Sequence, residues 1–296
     1  MDHRTVIASL SAEARSQLTA KSDVAGLVQL GCHGGAILIL GTLIAVRVPL
    51  WPLLMVPQGV LIVFLFTLLH ESVHRTAFRT RWLNDLVARV CGVLIVLPAD
   101  WFRSFHFAHH RFTQDPENDP ELASPKPDTL GRYLIHLTGI PVWISHVRTL
   151  GANALGRCRD GFVPPKERAG VRTEAQLMIA GYAALAGLAI YSGSATLLFA
   201  WILPAVIGQP FLRLYLLAEH AHCPHVANMF ENTRTTRTIW LVRKLAWNMP
   251  YHVEHHAFPA VPFHRLPAFH ALIEGRIVHL EAGYVSFHRR YMRSLS

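Results

Sequence analysis

Four long apolar stretches dominate the hydrophobic pattern of this chain. Each is close to the roughly 20 residues that a helix needs to cross a bilayer core about 30 Å thick. Turn-like connections at 48–52 and 191–194 join the stretches in pairs. The pattern therefore predicts four transmembrane helices arranged as two hairpins, with spans at about 26–46, 51–69, 175–191 and 195–217.

Two further apolar runs are shorter or interrupted. Residues 86–98 end at Pro98, and residues 130–150 contain Pro141 and Arg148. We interpret both runs as interfacial or re-entrant segments rather than spans. The polar remainder, residues 70–174 and 218–296, is expected to form a helical cap on the cytosolic side. The predicted fold is an all-α integral membrane protein with a single domain, residues 1–296.

The distribution of positive charge predicts the orientation of the chain in the membrane. Of the 28 Lys and Arg residues, only Arg47 lies near the predicted outer turns, and cytoplasmic loops carry an excess of basic residues. We therefore expect the cap and both termini on the cytoplasmic side. The net charge of +9 suits a surface against anionic lipid. Nucleic acid is not an expected partner, because the basic residues are scattered and not interleaved with aromatic ones.

Eight histidines fall into three short motifs, HESVH at 70–74, HFAHH at 106–110 and HVEHH at 252–256. In a helix, the first motif places two imidazoles on one face and the others place three. Imidazole is a good ligand for iron, copper, zinc and nickel, and eight exceed what one ion binds. The motifs therefore predict a site for two metal ions with the ligands His70, His74, His106, His109, His110, His252, His255 and His256.

A ninth ligand is expected because two six-coordinate ions need more donors than eight imidazoles supply. His220, at the cytosolic end of the fourth predicted span, is the first candidate. His222 and His225 are its competitors, although His222 cannot share a helical face with His220. Alternatively, Asn248 would hold a ligand water. The remaining histidines are expected in surface or core roles: His3, His33, His136, His146, His264, His270, His279 and His288.

Acidic and aromatic residues near the motifs are candidates for supporting roles. A carboxylate can accept the second N–H of a metal-bound imidazole, and an ordinary ion pair within the cap is an equal alternative. The acidic candidates are Glu71, Glu219, Glu254, Asp115 and Asp119. The aromatic candidates for lining a substrate channel, with interfacial anchoring as the alternative, are Trp101, Phe102, Phe105, Phe107 and Tyr251.

The order HxxxH, HxxHH, HxxHH resembles the membrane-bound fatty acid desaturase superfamily, which includes lipid and alkane hydroxylases and carotenoid ketolases. The likeness covers about residues 65–265, and the stretches 109–116 and 255–262 are similar to acyl desaturases in particular. The pair Glu219-His220 resembles the lone-histidine motif of alkane hydroxylases, which favours His220 as the ninth ligand. One departure is Leu216, which stands where animal acyl-CoA desaturases have a water-holding asparagine.

The resemblance implies a non-haem di-iron oxidase with two irons per chain and O₂ as co-substrate. O₂-dependent desaturation of a fatty acyl chain is the first reading, and a hydroxylase or ketolase of a lipid, alkane or carotenoid is the alternative. The chain has no haem-binding His-Pro-Gly-Gly motif, no GxGxxG loop and no iron–sulfur cysteine set. Electrons are therefore expected from an external ferredoxin, rubredoxin or cytochrome-like donor with its reductase.

Two readings from other classes remain open at this point. A zinc-dependent intramembrane hydrolase would need fewer histidines and a base carboxylate beside one open metal site. A metal transporter would place its ligands near the bilayer midplane, whereas these motifs lie at span ends and in the cap.

Overall fold

The computed structural model describes residues 2–296 and is built almost entirely of helices. The helices are α1 (His3–Ser9), α2 (Ala12–Leu18), α3 (Asp23–Ala45), α4 (Trp51–Val73), α5 (Arg81–Ile95), α6 (Ala99–Phe112), α7 (Leu130–Thr138), α8 (Ile140–Ala154), α9 (Arg168–Tyr191), α10 (Leu203–His220), α11 (Met229–Asn232), α12 (Trp240–Leu245), α13 (His252–Ala257), α14 (Leu266–Ile273) and α15 (Tyr284–Arg293). A π-helical turn, Leu198–Ile202, leads directly into α10.

Four helical stretches are long and apolar enough to cross a membrane, as the hydrophobic pattern predicts. They are Ala12–Ala45, Trp51–Val73, Pro165–Tyr191 and Leu198–His220. The second and fourth continue beyond the predicted ends at 69 and 217, because the helices run on without a break through His70 and His220. The fold class predicted from the sequence, a helical membrane protein with a histidine-rich site, is confirmed.

The structure departs from the strict all-α prediction at one small sheet. Strands β1 (Arg234–Thr236) and β2 (His279–Glu281) pair in parallel, with Arg234 opposite His279 and Thr236 opposite Glu281. Each strand has only three residues, too few for a recognisable alternating pattern. A hydrogen bond joins the sheet to α13: the Thr235 hydroxyl donates to Oε2 of Glu254 at 2.6 Å.

The two shorter apolar runs fold as bent helix pairs. Helices α5 and α6 meet at an angle of 100°, where Val96 adopts a left-handed backbone (φ 58°) and Pro98 caps α6. On α5, Trp82, Leu86 and Val90 are exposed at intervals of four residues, which gives the helix an apolar stripe of the kind found on interfacial helices. Helices α7 and α8 meet at Gly139, whose φ of 67° lies in the left-handed region that favours glycine.

The main packing contact joins α4 to α10, which belong to different predicted hairpins, whereas α9 packs mainly on α8. A methyl group on Gly59 would lie 2.0 Å from the carbonyl oxygen of Pro204, and one on Gly208 would lie 2.2 Å from the backbone of Gly59. The two backbones therefore touch, as small residues allow between membrane helices.

This contact sets the relative height of two histidines. His70 follows Gly59 by 11 residues and His220 follows Gly208 by 12, which at 1.5 Å per residue are rises of about 17 and 18 Å. Since the glycines touch, the two imidazoles reach the same level. Sequence spacing alone cannot reveal this register, because it depends on where two backbones meet.

We expect Gly208→Val to separate α4 from α10, since no side chain fits between the backbones at this position. Overpacking of this kind lowers the free energy of unfolding by about 1–3 kcal/mol. The atoms that the new side chain would meet here belong to the backbone of α4, which cannot move aside as a side chain can. The matched control is Gly181→Val on α9, where an added methyl group meets open space. Thermal unfolding in detergent should show a lower midpoint for Gly208→Val and little change for the control. Equal midpoints for both variants would contradict the register argument.

Candidate metal centre

Nine imidazoles converge at the ends of α4 and α10, among them all eight histidines of the three motifs. Two groups have ligand atoms that all lie within 4.8 Å of one another: His70, His74, His106, His110 and His255 form the first, and His109, His220 and His256 form the second. His252 joins them through its Nε2, which lies 3.1 Å from Nε2 of His220. We call these nine residues the histidine cluster.

Four elements supply the cluster, and two helices serve both groups. On α6, His106 and His110 belong to the first group while His109 belongs to the second, and on α13 His255 and His256 divide in the same way. Adjacent helical positions differ by about 100° in direction. The HxxHH spacing therefore aims neighbouring imidazoles into two adjacent sites rather than one.

Several ring nitrogens within each group face one another at hydrogen-bond distance. The Nε2–Nε2 separations are 2.8 Å for His74 and His106, 3.1 Å for His110 and His255, and 3.2 Å for His109 and His220. Two facing nitrogens can share only one proton, so one hydrogen bond is the most that each pair can form. The nitrogen atoms of each group therefore converge on a small volume with few hydrogen bonds among them. A cation in each of the two volumes would be coordinated by the imidazole nitrogens of that group.

The buried ring nitrogens provide a test of whether a metal fits. Among the described residues, both nitrogens of His70 and Nε2 of His256 are buried without a hydrogen-bond partner. Burying such atoms unpaired is costly, whereas coordination would use them. On α13, burial holds the pKa values of His252, His255 and His256 well below the usual range. These rings are neutral near pH 7, which is the form that binds metals.

Polar groups behind the imidazoles fix the orientation of several rings. Nδ1 of His109 lies 2.9 Å from Oδ1 of the buried Asp119. Nδ1 of His220 lies 3.3 Å from the carbonyl oxygen of Asn232, and Nδ1 of His256 lies 3.2 Å from the Thr113 hydroxyl. Contacts of this kind set the tautomer and raise the basicity of the facing nitrogen.

The acidic candidates from the sequence divide into two roles. Asp119 and Glu219 face cluster rings, with Oε1 of Glu219 at 3.5 Å from Nδ1 of His252. Glu71 instead accepts from the backbone N–H of Phe263 at 2.8 Å. The other two also face away from the cluster rings: Asp115 accepts from the N–H of Glu117, and Glu254 contacts Thr235 and His270.

Three residues that sequence reasoning did not single out also border the cluster. Oε2 of Glu121 lies 3.4 Å from Nε2 of His109, and Glu121 is itself paired with Lys126. Asn232 and Thr113 orient rings as described above. Glu121 follows the turn-rich segment 115–120, and only the folded turn, where Oδ1 of Asp119 accepts from the N–H of Glu121, brings it back to His109.

The competitors of His220 lie elsewhere. His222 is exposed and stacks on the ring of Tyr291 with centroids 4.6 Å apart, and Nδ1 of His225 lies 3.0 Å from the carbonyl oxygen of Gln114. The amide of Asn248 donates to the carbonyl oxygen of Phe263 at 3.0 Å, which joins the segment before α13 to the segment after it. Its predicted water-holding role gains no support from this placement.

A cavity of about 700 Å³ opens beside the cluster. His70, His106, His109 and His252 form part of its wall, and much of the remainder is apolar. Trp101, Phe102 and Phe105 line it, as expected for a substrate channel, together with Leu216. Tyr251 and Phe107 do not line it: Tyr251 packs on His270, and Phe107 is exposed beside His74.

Comparisons with known proteins agree with this geometry. The family model for "Fatty acid desaturase" matches residues 46–288. The chain is 26% identical to an "sn-1 acyl-lipid omega-3 desaturase (ferredoxin)" of Nostoc sp. (strain 36), over 78% of this chain and 70% of that protein.

Plant enzymes are similar at the same level. Identity is 27% to a chloroplastic omega-3 fatty acid desaturase of Glycine max, over 73% of this chain and 52% of that protein. Identity is also 27% to a Delta(12)-fatty-acid desaturase of Arabidopsis thaliana, over 72% of this chain and 63% of that protein. The chain thus spans about half to two thirds of the plant relatives. Because the family model covers most of the chain, including all three histidine motifs, this membrane protein belongs to the fatty acid desaturase family, whose named members are oxidoreductases.

Proposed function

We propose that the protein is an O₂-dependent fatty acyl desaturase in which the nine cluster histidines bind two iron ions. The observation that carries the proposal is the position of the cavity. One wall is formed by His70, His106 and His109, and the volume extends from them between apolar side chains such as Phe66 and Leu212. An acyl chain in this cavity has its methylene carbons beside the cluster.

The donor set favours two irons over one zinc. A catalytic zinc has about three protein ligands and one open position, and nine converging imidazoles exceed that. The cluster contains no cysteine sulfur, and its two groups of five and three imidazoles, with His252 beside the second, would hold two irons in separate nitrogen-rich sites. The bound irons would supply O₂ activation.

The chain's own residues hold the ligands and the substrate in place. Asp119, the Asn232 carbonyl and Thr113 keep three imidazoles in fixed orientations. The apolar walls orient the acyl chain and exclude water from the reacting carbons. Such positioning matters because a misplacement of about 1 Å can cost 10²-fold in rate.

The overall reaction requires electrons that the chain does not carry. Two hydrogens leave adjacent acyl carbons, and two electrons and two protons from outside complete the reduction of O₂ to two waters. We propose an external donor, and the Nostoc relative, whose name includes ferredoxin, makes a ferredoxin the first choice. We also propose that the cluster and both termini face the cytoplasm, since Arg47 alone among the basic residues lies in the α3–α4 turn.

Removing the negative charge behind His109 should weaken iron binding. In Asp119→Asn the side chain still accepts from Nδ1 of His109 but no longer raises the ring's basicity as a carboxylate does, so we expect about tenfold lower iron affinity. The matched control is Asp115→Asn in the same loop, which touches no cluster ring. Anaerobic competition with a ferrous chelator measures both. Equal affinities would argue against His109 as a ligand.

The activity is tested by lipid analysis of a host that lacks polyunsaturated acyl chains and co-expresses a ferredoxin and its reductase. We expect a new double bond with the wild type and with His222→Ala, whose ring lies outside the cluster. We expect none with His220→Ala, because one donor of the second group is lost. Mass spectrometry of the acyl chains reads both outcomes. An oxygenated product labelled from ¹⁸O₂ would instead identify a hydroxylase, and activity in His220→Ala would contradict the ligand assignment.

A further inference from the structure

An arginine lies inside the fourth span, on the wall of the cavity. Arg213 is seven residues before His220 on α10, which places it about 10 Å from the cluster along the helix axis. Its Nε is buried and has no hydrogen-bond partner among residues 2–296. Ionisable groups within membrane spans are costly and usually have a functional partner.

Arg213 is one member of a polar wall that three helices build around the cavity. Gln209 is one turn away on the same face of α10, and His136 on α7 and His146 on α8 also line the cavity. Gln209 is 2% exposed, and its Oε1 and Nε2 of His136 are buried without a hydrogen-bond partner in the described part of the chain. We call these four residues the polar wall.

The fold holds the polar wall in place. A methyl group on Gly139, between α7 and α8, would lie 2.2 Å from Cγ of Gln209. The α7–α8 pair is therefore pressed against α10 at this level. Nδ1 of His146 also lies 3.2 Å from the carbonyl oxygen of Ile95. The sequence indicates only isolated histidines here, and the structure brings them together.

The acidic groups near Arg213 are engaged elsewhere. Glu121 and Glu219 are the carboxylates whose charges reach the guanidinium. Glu121 is paired with Lys126, and Glu219 faces the ring of His252. A structural ion pair therefore does not account for an arginine with a buried Nε at this position.

We propose that the polar wall binds an anionic oxygen group of the substrate, a carboxylate or a phosphate, with Arg213 as the principal contact. This inference rests on the proposed function, because it takes the ligand of the cavity to be an acyl compound. Arginine donates paired hydrogen bonds to such groups. The anchor would fix the polar end of the substrate, so that carbons at a set distance from it lie beside the cluster.

The test compares ligands of one chain length that differ only in the polar end. Radiolabelled palmitic acid, hexadecyl phosphate and hexadecanol are titrated onto the iron-loaded protein in detergent at alkaline pH, with scintillation proximity as the readout. We expect the wild type to bind at least one anion tenfold or more tightly than the alcohol. The anion that binds more tightly shows whether the polar wall prefers a carboxylate or a phosphate. Equal affinity for all three would overturn the inference.

Variants separate binding from folding. We expect Arg213→Met to lose the preference for the anion while binding the alcohol as the wild type does, and Arg213→Lys to retain part of the preference. The matched control is Arg148→Met, an exposed arginine on α8 that does not line the cavity. The thermal midpoint of Arg213→Met should not fall, since no structural ion pair is lost. An equal loss of acid and alcohol binding would contradict the inference. A wild type that binds no acyl compound would contradict the proposed function as well.

Discussion

Nine imidazoles in one buried volume impose a constraint that the rest of the fold has to meet. Neutral rings with nitrogens 2.8–3.2 Å apart satisfy one another only in part, and Nε2 of His256 has no partner among the described residues. Unsatisfied polar atoms in a low-dielectric interior are among the most costly features a fold can contain. Coordination of cations would remove that cost, so we expect metal binding and folding to be coupled in this protein.

The scaffold is arranged around this requirement. The touching backbones at Gly59 and Gly208 bring the ends of α4 and α10 to one level. Glu71 connects α4 to the segment after α13 through the Phe263 N–H, and Glu254 fixes α13 to β1 through Thr235. Buried carboxylates that bind backbone and hydroxyl groups hold the helices whose other faces carry the histidines. The cap and the spans thus form one packing unit around the cluster.

Much of this could be predicted from the sequence because it depends on local spacing. The spans are predicted by runs of apolar residues. The HxxxH and HxxHH spacings predict that the histidines of each motif lie on one face of a helix. His220 could be preferred to His222 from the end of a predicted helix. Contacts set by long-range packing could not be predicted. Asp119 and Asp115 look equivalent in the sequence, yet only the folded turn aims Asp119 at His109. Likewise, His136 and His146 are isolated in sequence and share a cavity wall with Arg213 only after α7 and α8 pack on α10.

Whether the histidine cluster binds two irons can be determined from the metal content of the purified protein. Protein grown on ⁵⁷Fe and purified in detergent would be examined by elemental analysis and Mössbauer spectroscopy. We expect close to two irons per chain, with the signals of a coupled pair of high-spin ions in nitrogen-rich sites. A single zinc per chain, or no stoichiometric metal after mild purification, would contradict it.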